Sequence, residues 1–426
     1  MLRLSPRVPP ALVLFLPLAL FAGAASAADD LTLAAALARA ESQHPLLEAQ
    51  RALARAAASQ VLQAGLRPAP ELRLDAENLL GSGPYGSVDR LETTLGFSRL
   101  IERGDLLARR VDSARAQQAL QADDSAIARL ELRAEVARRF AHLLSDQAKL
   151  AITRETTALA EDTQREVERR VSAARSPVAE RWRARIALER ARLDEEHAEH
   201  ELLASRRHLA AAMGQAEADF GEARGDLQRL PEVAPVEELL ARLASAPEAL
   251  RYASDVRLRE SEWRLAQAKA KAGVTLGAGL RRFEEGGDTA LTFSASLPLW
   301  QGSRQRGAIA EAEARRDQGQ AERSTALLRA QAQLYALYQE MNHARVEFET
   351  QRDRVVPAAQ QALEQTRYAW ERGRYSLLEL RDAQAEWTAQ RSRLIEAAAE
   401  YQSQLIEIQR LTGQLTLPAQ AGAAAP

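Results

Sequence analysis

The sequence contains no cysteine. That absence excludes disulfides, thiolate metal sites, nucleophilic thiols and a lipid-modified N-terminal cysteine. Aromatics make up only 5 % of the chain and methionines number three, so neither a thick aromatic core nor a thioether relay for soft metals is available. Charge of one sign is missing as well: 27 % of residues are charged, yet the net is −2. A nucleic-acid binder needs a basic surplus to neutralise phosphates, and no such surplus exists. Long apolar runs are absent after the N-terminus. No stretch reads G-x-x-x-x-G-K-[ST], G-x-S-x-G or H-E-x-x-H, which leaves no nucleotide cofactor site, no hydrolase nucleophile and no zincin pair. The expectation is a protein that is not an enzyme and carries no cofactor.

At the N-terminus, Arg3 and Arg7 precede an apolar run from Ala11 to Phe21, followed by the small-x-small triplet Ala25-Ser26-Ala27. This is the pattern of a cleaved secretory signal, residues 1–27, with a mature chain starting at Ala28. The apolar run is shorter than the roughly 20 residues a spanning helix requires.

The mature chain is rich in Ala, Leu, Arg, Glu and Gln and shows helical periodicity over residues 31–65, 105–171, 178–213, 236–272, 303–370 and 377–412. Helices of nearly seventy residues reach about 100 Å at 1.5 Å per residue. Alanines such as Ala308, Ala310, Ala312 and Ala314 suit close helix packing, and equally suit plain helix propensity. Four landmarks recur: Pro45 with Pro247, Gly104 with Gly302, residues 174–184 with 373–383, and Gly214-Gln215 with Gly413-Gln414. Their separations are 202, 198, 199 and 199 residues. One architecture is written twice. The repeats are expected at 28–215 and 236–415, with a linker at 216–235 and a disordered tail at 416–426.

Four segments break the helical period with alternation: strands are expected at about 70–80, 89–101, 273–283 and 289–300. Leu72, Leu74, Leu95, Phe97, Leu276, Leu280, Leu291 and Phe293 fall on one face of these strands, opposite Arg73, Asp75, Glu92, Thr94, Arg281, Thr292 and Ser294. Such strands fit a one-sided soluble sheet or an outer-membrane barrel wall. The polar hairpin tips 81–87 and 284–288 are placed to face the medium, and Phe97, Phe283 and Trp300 lie where an aromatic girdle would be. Four strands cannot close a bacterial barrel, so membrane insertion requires several chains to share one.

The signal, the duplicated body, the two hairpins feeding very long helices and the Gly-containing breaks near the helix ends resemble the TolC family of outer-membrane efflux ducts. Segments 63–84 and 91–110 look most like its CzcC-type branch, the outer-membrane partners of heavy-metal exporters. The resemblance implies a mainly α fold with a small membrane β part. It also implies a homotrimer whose twelve-stranded barrel, set in outer-membrane lipid, continues into an α-helical periplasmic tunnel. Implied partners are a periplasmic adaptor (a membrane fusion protein) and an inner-membrane transporter of the resistance-nodulation-division type, and the implied cargo is divalent heavy-metal cations. The same duct serving drugs or type I protein secretion is an alternative; a periplasmic coiled-coil scaffold is an alternative of another class.

The family marks its hairpin tips with Val-Gly-x-x-x-(Ile/Leu)-x-Asp-Val-x-(Asp/Asn)-Ala. Gly373, Leu377, Leu380, Asp382 and Ala383 match, with Glu379 for the first Asp; in the first repeat Glu180 and Ala184 match, while Ala174 replaces Gly and Arg183 the second acid. By resemblance, Glu379, Asp382 and Glu180 are tunnel-mouth acids. The turns Ala174-Arg175-Ser176-Pro177 and Gly373-Arg374-Tyr375-Ser376 are implied as the adaptor-docking tips. Residues 379 and 382 share a helix face, and rings of acids focus cations; solvated pairing with Arg374 or Arg381 is the plain alternative. His197 and His200, spaced i, i+3, are the nearest approach to a metal pair, but a structural zinc set takes four ligands and this run also reads as a solvated helix face. No metal site is expected.

Overall fold

A computed structural model describes residues 30–415; the signal segment and the tail at 416–426 lie outside the described residues. In chain order, β1 (Leu31–Thr32), α1 (Leu33–Gln43) and α2 (Pro45–Ala64) lead into β2 (Glu71–Glu77) and β3 (Glu92–Ile101). The long α3 (Leu106–Ser172) and α4 (Val178–Ala212) follow, then β4 (Ala223–Arg224). The second half repeats the order: α5 (Val236–Arg242), α6 (Pro247–Lys269), β5 (Val274–Phe283), β6 (Thr289–Ser296), α7 (Gln301–Arg304), α8 (Arg306–Thr350), α9 (Val356–Glu371) and α10 (Leu377–Thr412). No described helix is long and apolar enough to cross a membrane.

Several boundaries differ from the periodicity. Pro45 and Pro247 each start a helix, splitting 31–65 at His44 and 236–272 at Ala246; proline suits the first helical position and no interior one. Strand β2 ends at Glu77 because Asn78 and Leu80 take positive φ, and β6 stops two residues before Pro298. Between α8 and α9 lies a single π-turn, Gln351–Val355, in which the Val356 N–H reaches the Gln351 carbonyl five residues back. Pro357 just beyond it cannot donate, and the widened turn absorbs the break. The counterpart stretch of α3 is unbroken.

The expected linker 216–235 is a packed strap. β4 pairs in parallel with β1, Phe220 and Ala223 enter the core of the first half, and Leu227 packs with Ile152, Phe348 and Ile395 where the halves meet. Tyr401 donates its hydroxyl hydrogen to the Pro231 carbonyl, and Gln402 Nε2 donates to the Arg229 carbonyl at 3.0 Å. Apolar spacing in the strap is too irregular to read as an element, which is why its packing was not legible. Equivalent positions build equivalent cores: Val136 and Leu334, Leu143 and Met341, and Leu209 and Ile408 are all buried.

Strands β2-β3-β5-β6 form one antiparallel sheet with Leu72, Phe97, Ala278 and Phe293 in one cross-strand row. That face is open: Leu72 is 75 % and Phe293 82 % exposed. Phe283 shares its parity with Arg281, so it lies on the polar face and not in a girdle with Phe97. On the polar face Arg281 ties three strands, its guanidinium bonded to Thr94 Oγ1 and Glu92 (both 2.9 Å) and Glu77 (3.0 Å).

Four long helices end alike. The N–H groups of Arg175, Gln215, Arg374 and Gln414 reach back five residues, and those of Ala174, Gly214, Gly373 and Gly413 three residues, in the double bond of a Schellman cap. All four of the latter residues have φ between 55° and 82°. Gly214 and Gly413 also press on the landmark prolines: a Cβ on Gly413 would lie 2.6 Å from Pro247 Cδ, and one on Gly214 3.3 Å from Pro45 Cδ. Gly104 and Gly302 are not such a pair, since Gly302 sits inside α7 and Trp300 takes the positive φ there.

Three substitutions at these caps separate conformation from contact. Gly373→Ala meets open space and costs only the left-handed strain, about 1 kcal/mol; Gly413→Ala adds a clash and costs at least about twice that. Ala174→Gly relieves strain and gains about 1 kcal/mol. Thermal unfolding followed by circular dichroism checks the order.

Candidate functional site

The far end of the two helical hairpins carries every tip residue singled out in the sequence. A small core holds it: Val167, Ala184, Leu363, Trp370, Leu377 and Leu380 are buried together, with Ala383 and Trp387 partly covered. Leu377 and Leu380 supply the inward face of the first turn of α10, which leaves Leu378, Glu379 and Asp382 outward.

The first turn, Ala174-Arg175-Ser176-Pro177, is kinked by Ala174 at φ 55°, and Pro177 then starts α4 from an extended conformation. The second, Gly373-Arg374-Tyr375-Ser376, has Gly373 at φ 71° and Ser376 as the N-cap of α10. Arg175, Arg374 and Tyr375 are exposed and project from the turns. One side chain joins the turns. Arg170 of α3 donates from Nη1 to the Trp370 carbonyl at 2.9 Å and from Nη2 to the Glu371 carbonyl at 3.1 Å. Its guanidinium lies 4.1 Å from the Trp370 ring centroid, and Nε pairs with Glu166 at 2.9 Å. The cation thus neutralises the carbonyl end of α9 while stacking on its last aromatic. Bonding to Arg170 holds the Glu166 carboxyl below its ordinary range.

The hairpins are further zipped along α3 and α10. Glu155 pairs with Arg391, Thr156 shares a 3.1 Å hydroxyl bond with Thr388, and Gln384 Nε2 donates to Thr163 Oγ1 at 3.0 Å. Beside this seam a polar groove of about 870 Å3 opens between α3 and the α9 end, lined by Glu166, Arg170, Trp370 and Gln384 among others.

The three acids differ in state. Glu379 folds back on its own helix start: its carboxylate accepts the Ser376 N–H at 2.6 Å and the Ser376 hydroxyl at 2.9 Å, while its own N–H donates to Ser376 Oγ at 3.4 Å. This reciprocal capping box holds its carboxyl below the ordinary range, the Ser376 amide being the main cause. Asp382 is exposed and, like the half-buried Glu180, has no side-chain partner among the described residues. Neither Arg374 nor Arg381 pairs with Glu379 or Asp382. Ser376-x-x-Glu379 was a readable capping signature; the contacts of Arg170 with distant carbonyls carried no local signal.

The histidines lie elsewhere. His197 and His200 are exposed on α4, and His197 Nε2 sits 3.3 Å from Glu201. Among the described residues no three His, Asp or Glu side chains gather to hold a metal ion.

Two outcomes follow from this geometry. Arg170→Ala removes two bonds to helix carbonyls and a cation–π contact, and lowers the stability of the tip by about 2 kcal/mol, read as faster amide exchange in both turns. The capping contribution of Glu379, whose carboxyl is held low, is complete above the unfolded glutamate range of about 4.3. It is lost as pH falls through the lower folded value, so exchange protection at the start of α10 weakens on acidification, and Glu379→Ala removes that pH dependence.

The family model described as "Outer membrane efflux protein" matches residues 36–215 and 243–414. The cobalt-zinc-cadmium resistance protein CzcC of Cupriavidus metallidurans is 24 % identical over 388 residues, covering 91 % of each chain. Among solved structures, a membrane protein of Pseudomonas aeruginosa superposes with a TM-score of 0.76 at 20 % identity, covering 91 % of this chain and 92 % of that one. A CusC structure does so with 0.76 at 17 % identity, covering 91 % and 93 %. The two matched segments together span most of the sequence and coincide with the two halves of the fold, and the chain belongs to the outer membrane efflux protein family.

Proposed function

We propose that three copies of this chain close one twelve-stranded outer-membrane barrel, each giving its β2-β3-β5-β6 sheet, and that the α3/α4 and α9/α10 hairpins wall a periplasmic tunnel below it. The observation that carries this reading is the sheet itself: its apolar face is open, and among the described residues the outer edges of β2 and β6 are unpaired. Lipid tolerates neither an open edge nor a barrel of four strands. The two repeats, 28–215 and 236–415, each supply one β-hairpin and one helical hairpin, after removal of a signal at 1–27.

The duct is passive and works in a tripartite pump. The turns at 174–177 and 373–376 dock a periplasmic adaptor, and an inner-membrane transporter of the resistance-nodulation-division type supplies the energy. The cargo is divalent heavy-metal cations, a reading supported by the relative whose name carries cobalt, zinc and cadmium resistance. At the mouth, Asp382 and Glu180 are the available charges, since Glu379 is engaged as a cap. Three copies of each give six carboxylates that raise the local cation concentration.

The purified chain is expected as a heat-modifiable trimer that needs detergent and conducts in planar bilayers. A monomer soluble without detergent overturns the duct and favours the scaffold. In the bilayer, Asp382→Asn lowers cation preference and Glu379→Gln, which keeps the cap, leaves it unchanged; equal effects of the two overturn the division of labour. Deleting the gene sensitises cells to cobalt, zinc or cadmium if metals are the cargo, and to drugs alone if they are not.

A further inference from the structure

Where the strands pass into the long helices, the outward face carries cations without partners. Arg99 has the parity of Leu95, Phe97 and Ile101, so it stands on the apolar face of β3, one pleat repeat beyond Phe97. β3 is an inner strand of the sheet, and Arg99 lies one residue past Ser98, the last β3 position that β2 pairs. Past the strand ends the chain runs on to Arg103 after Ile101 and to Trp300 at the turn that opens α7 after Ser296. Trp300 is 77 % exposed and is followed in α7 by Arg304.

Two acids just past the end of β3 are already used. Glu102 is bound by Arg110 at 2.8 Å and 3.1 Å, and Asp105 by Arg109 at 2.8 Å and Lys271 at 3.3 Å. Arg99, Arg103 and Arg304 are exposed with no side-chain acceptor among the described residues. The opposite end of the apolar face contrasts: Arg282, the other cation on that face, is paired with Glu284 at 2.9 Å.

We infer that this ring is a binding surface for anionic phospholipid headgroups of the periplasmic leaflet, centred on Arg99 and Arg103. The proposal rests on the barrel reading above. An arginine on a lipid-facing strand lays its stem along apolar surface and carries its charge to the headgroup level. An exposed tryptophan at the same end of the sheet, Trp300, marks the same interface. With Glu102 and Asp105 satisfied inside the protein and Glu71 on the opposite face of the sheet, lipid phosphate is the acceptor at hand, and guanidinium pairs with phosphate through two parallel bonds. Three copies repeat the ring around the barrel.

The full mature chain is reconstituted in vesicles of phosphatidylcholine with a minor share of phosphatidylglycerol, trimer formation is checked by heat-modifiability, and lipids retained on gentle extraction are measured by native mass spectrometry. The wild type is expected to enrich phosphatidylglycerol about fivefold over the bulk, the factor for one cation at an anionic surface. The double variant Arg99→Gln, Arg103→Gln is expected to lose most of that enrichment, and Arg175→Gln at the distant tip to keep it. Inorganic phosphate at millimolar concentration leaves the enrichment unchanged; displacement by it shows a soluble-anion site and overturns the lipid assignment. An inserted trimer without lipid preference, or a double variant as selective as wild type, overturns this inference alone. A chain that stays out of the bilayer overturns the duct reading and this inference with it.

Discussion

Two strand edges with no partner inside the chain govern the rest of the architecture. β2 and β6 present unpaired amides and carbonyls on either side of a sheet whose outer face is leucine and phenylalanine. Water would satisfy the edges but not the face, and lipid the reverse. Other copies of the same sheet pair the edges and leave the face to lipid, so the proposed trimer is a consequence of backbone chemistry. Closure also explains the helices. A hairpin about 100 Å long buries little in one chain, and α3 has many exposed positions along it; in the proposed trimer, lateral neighbours in the tube supply the missing contacts.

At the other end the same economy of partners decides which charges are free. Glu379 and Asp382 share a helix face, yet they do different work. A carboxylate three residues after Ser376 is drawn to that residue's amide and hydroxyl, because an unsatisfied N–H at a helix start costs more than a solvated acid gains. Asp382, one turn further, finds every nearby N–H already inside the helix and stays available. The first repeat lacks both features: Pro177 starts α4 without a side-chain cap and Arg183 takes the place of Asp382. The two hairpins are therefore alike in backbone and unlike in charge.

Much of this is legible in the sequence. The duplication, the four strands and the two turns follow from spacing alone, because glycine, proline and a change of period mark chain reversals wherever they occur. What was not legible depends on distance in space. The strap at 216–235 owes its order to Ile152, Phe348 and Tyr401, residues far away in the chain. Nearness to a strand end does not fix the face of Phe283; its parity with Arg281 does, and one residue reverses the face. Arg170 could be read only as another helix-surface arginine, since its acceptors are carbonyls some 200 residues on.

The repeats differ most in the continuity of their rising helices. The first hairpin rises on a single uninterrupted α3, and its turn is held by Ala174 in a conformation that suits glycine better. The second rises on α8 and α9, joined by the π-turn before Pro357, and turns at Gly373 without strain. A π-turn replaces five-residue spacing for four, which weakens the local ladder and lets the two helical segments bend against each other. The Arg170 clasp joins the hairpin that rises on unbroken α3 to the carbonyl end of α9, beyond the π-turn. Backbone strain at Ala174 thus lies on the side that donates the clasp, and the widened turn on the side that is clasped.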